Sequence, residues 1–326
     1  QSATELAESY YFLASAGLNA QQSMASLSTV QNFATAGAFD MSKATDLLTD
    51  AQAALGLSVK DVTQDLENMV RVSDVLVGAN TLANASVQQF SESITNDAGA
   101  ALRGVGKDIE EGVGVLAAYA DQGIKGAVAG SNLGRVLRLL SKSALDNAAA
   151  HQRLGFRVFD SSGEMRNMAD IVENLEDITR GMSDEMRAAT LEQLGFKAMV
   201  QKSLVPLLGV SDKIRQYEND LRSMGGVTES ISNNQMKSWS NQMKLIKNEL
   251  TEVSIEVGEI LAPILKDVVG VIKDVVVQFK ELSPSTQSFI VKAALLAAAL
   301  GPVLVGMGLV VSSVGSIIGV VGSAGP

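Results

Sequence analysis

The chain has 326 residues, of which 46% are hydrophobic and only 4% aromatic, and it carries a net charge of −10. It has no Cys and a single His, which excludes disulfides, thiolate metal sites, His clusters and His-based catalytic triads. The acidic balance leaves no basic footprint for nucleic acid. Because Ala, Leu and Met favour helices and supply much of the apolar surface, the composition predicts an all-α fold. We expect no enzyme activity and no cofactor, and we place His151 on a helix surface or in an interface.

Regularly spaced glycines mark the ends of predicted helices in the first hundred residues. They close successive apolar runs at Gly17, Gly37, Gly56, Gly78 and Gly99. Glycine is preferred just past a helix end, where the backbone turns left-handed. Start signals stand in register: Asp40 before 41–55, Ser58 before 59–77, and Ser86 with Gln89 at the capping-box position. The pattern predicts an array of short helices.

A Gly-rich stretch follows, over residues 99–134. It predicts a helix over 110–121, a loop over 122–131 and a helix over 132–143. Gly126, Gly130 and Gly134 are four residues apart, so on a single helix they would form a packing groove instead. The loop is favoured because each glycine inside a helix costs about 1 kcal/mol.

Residues 156–168 have the turn chemistry of a small β-hairpin, with Asp160-Ser161-Ser162-Gly163 at its tip. No other β-structure is predicted. Helices resume over 169–180, 183–194, 197–208 and 212–223, and Gly225-Gly226 ends the last of them.

Motifs that could carry chemistry are incomplete. The run 104–107 lacks the first glycine and the Ser/Thr of a phosphate loop, and the run 112–117 fits a dinucleotide pattern but follows no strand. The neighbouring carboxylates Glu110-Glu111 and Asp184-Glu185 are interpreted as solvated charges in the first turns of helices.

A heptad seam, the apolar stripe of a long helix, begins near residue 236. Its members are Met236, Trp239, Met243, Ile246, Leu250, Val253, Val257 and Ile260. Pro263 then breaks the helix, and a second helix is predicted to about residue 282. The seam indicates either a coiled coil between chains or an amphipathic helix packed within its own chain.

The last segment has no charged residue after Lys292. Gly301-Pro302 divides it, and residues 303–321 as a helix would reach about 28 Å, close to the hydrocarbon thickness of a bilayer. Gly315 and Gly319 give this half a small-residue face for close helix contact. It is interpreted as an apolar helical hairpin able to span a membrane, with a buried core helix or a hydrophobic contact between chains as the alternatives.

The run 121–133 and three later elements resemble the TP901-type phage tail tape measure family. The matching positions of the first motif are Asp121, Gly123, Ile124, Gly126, Ala129, Gly130 and Leu133. The later elements lie at 155–168, 194–198 and 250–263, in the family's order, so the resemblance covers nearly the whole chain. The sequence departs from the motif at Ala127, where Ser is common, and at Ser131, where Thr is common.

The resemblance implies a structural protein that lies in several copies along the lumen of the tail tube and sets tail length. Implied partners are further copies of itself, the tail tube protein, tail tip or baseplate proteins and tail assembly chaperones, with no sequence-specific nucleic acid. It also implies ejection ahead of the DNA, with apolar segments entering the host membrane or periplasm. No catalytic residue is carried over.

The predicted organisation is a tape measure core region over 1–225, amphipathic helices over 226–282 and a hydrophobic segment over 283–326. The start at Gln1, without Met, indicates a piece of a longer protein. Two other functions remain open. One is a membrane-active, pore-forming toxin, and the other is a helical adaptor that binds partners through the seam.

Overall fold

The computed structural model describes residues 3–238 and 242–249, together with 273, 277, 280–281, 283–288 and 292. The chain separates into two compact units, Gln1–Glu252 and Val253–Pro326. Nearly all described residues belong to the first unit, and they form helices, turns and loops without any strand. The all-α prediction is therefore confirmed for this part of the chain.

The helices of the first unit are short. In the first half they are α1 (Ala3–Ser15), α2 (Ala20–Gly37), α3 (Met41–Ala54), α4 (Val62–Leu82), α5 (Val87–Ser93), α6 (Gly99–Gly104) and α7 (Ile109–Asp121). The second half contains α8 (Gly126–Asp146), α9 (Ala148–Leu154), α10 (Met168–Thr179), α11 (Asp184–Gln193), α12 (Ala198–Leu204), α13 (Ser211–Arg222) and α14 (Val227–Met236). A π-helical turn, Ile94–Ala98, joins α5 to α6, and a 3₁₀ turn, Val205–Leu207, follows α12.

Most predicted helix starts are confirmed because the caps are local. The Asp40 carboxylate accepts a hydrogen bond from the Lys43 amide (2.7 Å) at the start of α3. Ser86 and Gln89 form the reciprocal capping box of α5. The start predicted at Ser58 is wrong, because Asp61 itself caps α4 through the Gln64 amide (2.8 Å).

The glycines have two different roles. Gly17 and Gly56 end helices with φ of 94° and 71°, as predicted. Gly78 lies instead inside α4, where a β-carbon would be 2.8 Å from the Sδ of Met224. Gly99 begins α6 with a helical φ of −61°. These two positions need a small residue for close packing and not for backbone geometry, so the stops predicted there are wrong.

The core is centred on α7, whose residues from Ile109 to Ala120 are all buried. This helix packs against α13, α4 and α8, while α2 packs against α1, α3, α4 and α14. Apolar residues of moderate size fill most of the interior, with Tyr119, Phe33, Phe90 and Phe196 as the largest side chains that are completely buried.

The β-hairpin predicted over 156–168 is not formed. Phe159 and Met165 make an isolated antiparallel bridge, and the Asp160 carboxylate accepts hydrogen bonds from the Ser162 and Glu164 amides. The turn chemistry is therefore present without a ladder. The strand cannot continue because Asn167 already caps α10, through the Ala169 amide (2.8 Å).

Candidate functional site at the α7–α8 junction

The family motif forms the junction where α7 ends and α8 begins. Asp121 is the last residue of α7, and Gly123 follows it with φ of 80°. The amides of Gly123 and Ile124 close the turn on the carbonyls of Ala120 and Tyr119, both at 3.0 Å. A residue with a side chain would be strained at Gly123, which accounts for glycine at that position.

The prediction of a loop over 122–131 is wrong, because α8 begins at Gly126 and contains Gly130 and Gly134. A β-carbon on Gly130 would lie 2.2 Å from the carbonyl oxygen of Ser93, and one on Gly134 would lie 2.5 Å from the Oδ2 of Asp97. The alternative of a glycine packing groove is therefore the correct one. Close approach to the π turn outweighs the low helix propensity of glycine.

The π turn fits into this groove with an irregular backbone. Asn96 has ψ of 67° and Asp97 has φ of 91°, a region that non-glycine residues rarely adopt. The Asn96 side-chain amide donates to the carbonyl of Ala127 and to the hydroxyl of Ser131, both at 2.9 Å. The Ser93 hydroxyl donates to the carbonyl of Gly126 (2.8 Å). These bonds hold the π turn against the first turns of α8.

A bidentate ion pair closes the same contact at the surface. Arg138 of α8 donates to both carboxylate oxygens of Asp97, at 2.7 and 2.6 Å. The hydrogen bonds from Arg138 hold the pKa of Asp97 below its usual value. Because both side chains are partly exposed, the pair contributes little stability on its own.

The first motif residue, Asp121, connects the junction to α13. Its carboxylate accepts a hydrogen bond from the Tyr217 hydroxyl (2.6 Å) and lies 2.8 Å from the ammonium of Lys213. Burial alone would raise the pKa of Asp121, but the bonds from Lys213 and Tyr217 outweigh it and lower the pKa. Of the remaining motif side chains, Ala129 and Leu133 are buried in the core and Ile124 packs partly buried against it.

The first half of α8 is also anchored through Ser203, near the end of α12. The Tyr119 hydroxyl donates to the Ser203 carbonyl (2.5 Å), and the Ser203 hydroxyl donates to the Asn132 side chain (2.9 Å). The motif thus brings α5, α7, α8, α12 and α13 together. Its geometry is that of a structural joint between helices.

The carboxylates at the start of α7 are buried, so the expectation that they are solvated is wrong. Glu110 forms a bidentate ion pair with Arg71, and Glu111 pairs with Lys107 (3.2 Å). Glu111 also accepts a hydrogen bond from the Met168 amide (2.7 Å), so it caps α10 from another helix. Burial raises the pKa of Glu111.

Two more carboxylates cap helices to which they do not belong. Glu176 of α10 accepts hydrogen bonds from the amides of Gly209 (2.7 Å) and Ser211 (3.0 Å) at the start of α13. Asp74 of α4 accepts hydrogen bonds from the amides of Gly226 and Thr228 at the start of α14. Sequence reasoning missed these contacts. The only local signal is that Val210 and Gly226, at the two N-cap positions, have no side-chain acceptor.

His151 is buried, which corrects its expected surface position. Its Nε2 lies 3.1 Å from the carbonyl of Leu194, and its ring centre is 4.9 Å from that of Phe156. Burial lowers the pKa of His151. Within the described ranges, no group of three or more His, Asp or Glu side chains could hold a metal ion.

The predicted seam is described only in part. Met236 is the last residue of α14, and Met243 and Ile246 lie on the helical stretch 242–249 with 47% and 48% of their surface exposed. The seam positions outside the described residues are Trp239, Leu250, Val253, Val257 and Ile260. Gly301, Pro302, Gly315 and Gly319 of the apolar segment also lie outside them. Among the helices that are described, none combines the length and the apolar character needed to cross a bilayer.

A family model and a related protein both connect this chain to phage tails. The family model for phage-related minor tail proteins matches residues 1–195, well over half of the chain. The chain is also similar to a tape measure protein of Pneumococcus phage Dp-1, with 26% identity over 313 residues. That match covers 96% of this chain but 26% of the relative, so the chain spans about a quarter of the relative's length. No solved structure matches the chain. The resemblance predicted from the ordered motifs is confirmed, and the chain belongs to the family of phage-related minor tail proteins.

Proposed function

We propose that this chain is part of a tape measure protein that lies in the lumen of a phage tail tube and sets tail length. The observation that carries the proposal is the similarity to a tape measure protein along 96% of the chain. The joint at the α7–α8 junction supports a structural role, because its motif side chains hold helices together. The tail tube protein, tail tip or baseplate proteins and assembly chaperones are the partners that this location requires.

The fold limits which part of the chain can measure length. A helix advances 1.5 Å per residue only where it is extended, and α1 to α14 fold back on one another. The unit that contains them therefore adds a fixed length that does not scale with its number of residues. The measuring part in this segment is the portion of the predicted amphipathic helices over 226–282 that follows α14.

Self-association through the seam would align several copies along the tube. Met243 and Ile246 are half-exposed, whereas Leu245, on the same helical stretch, faces the groove beside the end of α2. Met236 lines that groove, whereas Met243 and Ile246 are directed away from it and are available to another helix. Replacing both residues by Asp should convert an oligomer of the full chain to a monomer in sedimentation experiments. Val128→Asp, at an exposed apolar position on α8, is the control that should leave the oligomer intact.

The charge distribution suits a lumen through which DNA passes. Residues 1–122 hold 15 acidic and five basic side chains, whereas residues 123–326 hold 21 of each. Asp40, Asp46 and Asp50 form an exposed acidic stripe on α3. Such a surface repels the phosphate backbone and would not retain DNA. On ejection, the charge-free end from residue 293 would enter the host membrane and help the DNA to pass.

The proposed role in setting tail length is tested by changing the length of the seam in the intact phage. Duplicating residues 235–262 adds four heptads in phase, and the tail should lengthen by about 42 Å at the rise of an α-helix. Duplicating 235–248 should lengthen it by about 21 Å. Tail lengths are measured on electron micrographs of many particles. If both variants assemble tails of wild-type length, this segment does not measure.

A further inference from the structure

We propose that α14 is a releasable strap. Gly225 and Gly226 would act as the hinge about which α14 leaves α2 and α4, while residues 3–224 stay folded. The inference depends on contacts within the described unit and is independent of the role in tail length.

The contact of α14 with α2 is extensive, but the side chains that α14 buries are polar. Its buried side chains are the hydroxyl residues Thr228 and Ser232, and Ile231 is only partly buried against the core. A neutral hydrogen bond adds little net stability, because water offers the same partners to the separated groups. The cross-helix bonds run from Ser73 to Thr228 (3.0 Å), between Ser232 and Asn32 (3.0 Å) and from Gln235 to the Ala36 carbonyl (3.3 Å).

One buried carboxylate holds the start of the strap. Asp74 of α4 accepts hydrogen bonds from the amides of Gly226 (2.7 Å) and Thr228 (3.0 Å). Gly226 occupies the N-cap position and has no side chain, so Asp74 supplies the acceptor and the negative charge that a helix N-terminus favours. Asp74 is therefore the strongest single contact of α14 with the rest of the unit.

The preceding helix is held quite differently. Ile214, Tyr217 and Leu221 of α13 are buried, and α13 forms the most extensive helix contact in the unit, with α7. Met224, just after α13, packs against Gly78 of α4. Apolar burial is the main source of helix stability in folded proteins. The chain is consequently anchored up to Met224 and weakly held beyond it.

The two glycines between these helices have room to rotate. Gly226 has φ of 79°, and a β-carbon on Gly225 or Gly226 would meet no atom within 4 Å. A cavity of about 570 Å³, lined in part by Leu66, Val70 and Met224, flanks them. Hinges are short segments that absorb a backbone rotation, and paired glycines do so without strain.

Release would uncover a surface that tolerates water. The groups left behind on α2 and α4 include the Asn32 amide, the Ser73 hydroxyl and the Asp74 carboxylate, all of which water can solvate. Opening should therefore be local and reversible, and not the start of global unfolding. It would transfer α14 from the compact unit to the part of the chain that follows it.

Hydrogen exchange of the full chain, read by mass spectrometry at pH 7, tests the strap. Corrected for intrinsic rates, amides of α14 should exchange at least 100-fold faster than those of α7 and α13. Asp74→Asn should accelerate α14 about tenfold further and leave α7 unchanged. Glu67→Gln removes an exposed carboxylate from the same helix α4 and is the matched control, with no change expected in α14.

A cross-link supplies the converse test. The chain has no Cys, so Ser73→Cys with Thr228→Cys introduces a single possible disulfide, at hydroxyl positions 3.0 Å apart. Oxidation should slow exchange in α14 at least tenfold, and reduction should restore it. The contrary result is that α14 and α13 exchange equally slowly in the wild type and that Asp74→Asn accelerates both together. In that case α14 opens only by global unfolding, and the strap proposal is wrong. That result would leave the tail-length proposal intact.

Discussion

The helices α7 and α14 are held in the same unit by opposite means. All residues of α7 from Ile109 to Ala120 are buried, whereas α14 buries only two hydroxyl side chains. Both are regular helices, so helical content says nothing about which one is stable. In a chain with few aromatic residues, stability is concentrated where small and medium apolar side chains meet on every side. Elsewhere, hydrogen bonds fix the position of a helix without adding much to the free energy of unfolding.

Truncating an apolar residue in each helix tests this contrast most strongly. Leu116→Ala in α7 should lower the free energy of unfolding by about 3 kcal/mol, because it leaves a cavity in a fully buried site. Ile231→Ala in α14 should cost less than about 1 kcal/mol, since that side chain is only partly buried. Urea unfolding followed by circular dichroism measures both. Equal losses would contradict the contrast.

The glycine groove of α8 gives the next largest effect. Gly130→Ala should destabilise the unit by about 2 kcal/mol, because the added carbon meets the carbonyls of Ser93 and Asn96, which are backbone atoms. Gly104→Ala is the matched control at the end of α6, where an added carbon meets nothing within 4 Å. This control should be neutral or slightly stabilising. A neutral Gly130→Ala would mean that the π turn is not seated in the groove.

Local signals in the sequence predicted a large part of the fold. The start of α5 and the bounds of α3, α7, α10, α11 and α13, within one residue, follow from caps such as Asp40 and Ser86 and from apolar periodicity, which act over one or two helical turns. The ordered motifs also predicted the family. Each of these signals can be recognised without knowledge of what lies across the core.

Several of the errors involve a partner that is distant in sequence. Gly130 belongs to a helix because the π turn lies against it, and that turn is more than thirty residues earlier. Glu111 is buried where it accepts a hydrogen bond from the Met168 amide, 57 residues later in the chain. The turn at Asp160, by contrast, lacks a hairpin for a local reason, because Asn167 already caps α10. Helix propensity and turn chemistry are local, so they cannot predict such contacts.

Acid should weaken the contact between the π turn and α8. The pKa of Asp97 lies below its usual value because of Arg138, so the folded state favours the ionised form. The stabilisation is thus present above the ordinary pKa of 3.8 and is lost as the pH falls through the lower, folded pKa. Asp97→Asn should cost about 0.5 kcal/mol at pH 6, since the ion pair is partly exposed. Asn tolerates the left-handed backbone at this position, so the substitution isolates the charge.

Urea midpoints between pH 6 and pH 2.5 provide the test. The difference between wild type and Asp97→Asn should shrink as Asp97 becomes protonated. Glu111 contributes with the opposite sign, because its pKa is raised by burial, but it is common to both proteins and cancels in the difference. A difference that stays constant with pH would indicate that the ion pair contributes nothing to stability.

The smallest expected effect on stability is that of protonating His151, a side chain that is both buried and hydrogen-bonded. Burial lowers its pKa, so the folded unit favours the neutral ring packed against Phe156. Stability is therefore full above the ordinary pKa of 6.5 and falls as the pH drops from there to the folded pKa. Because the chain has one His, its imidazole resonance can be followed by NMR without assignment. A titration midpoint below 6.5 is expected. A midpoint at or above 6.5 would place the imidazole ring in solvent. The contact between α9 and the end of α11 would then be a polar contact like those of α14.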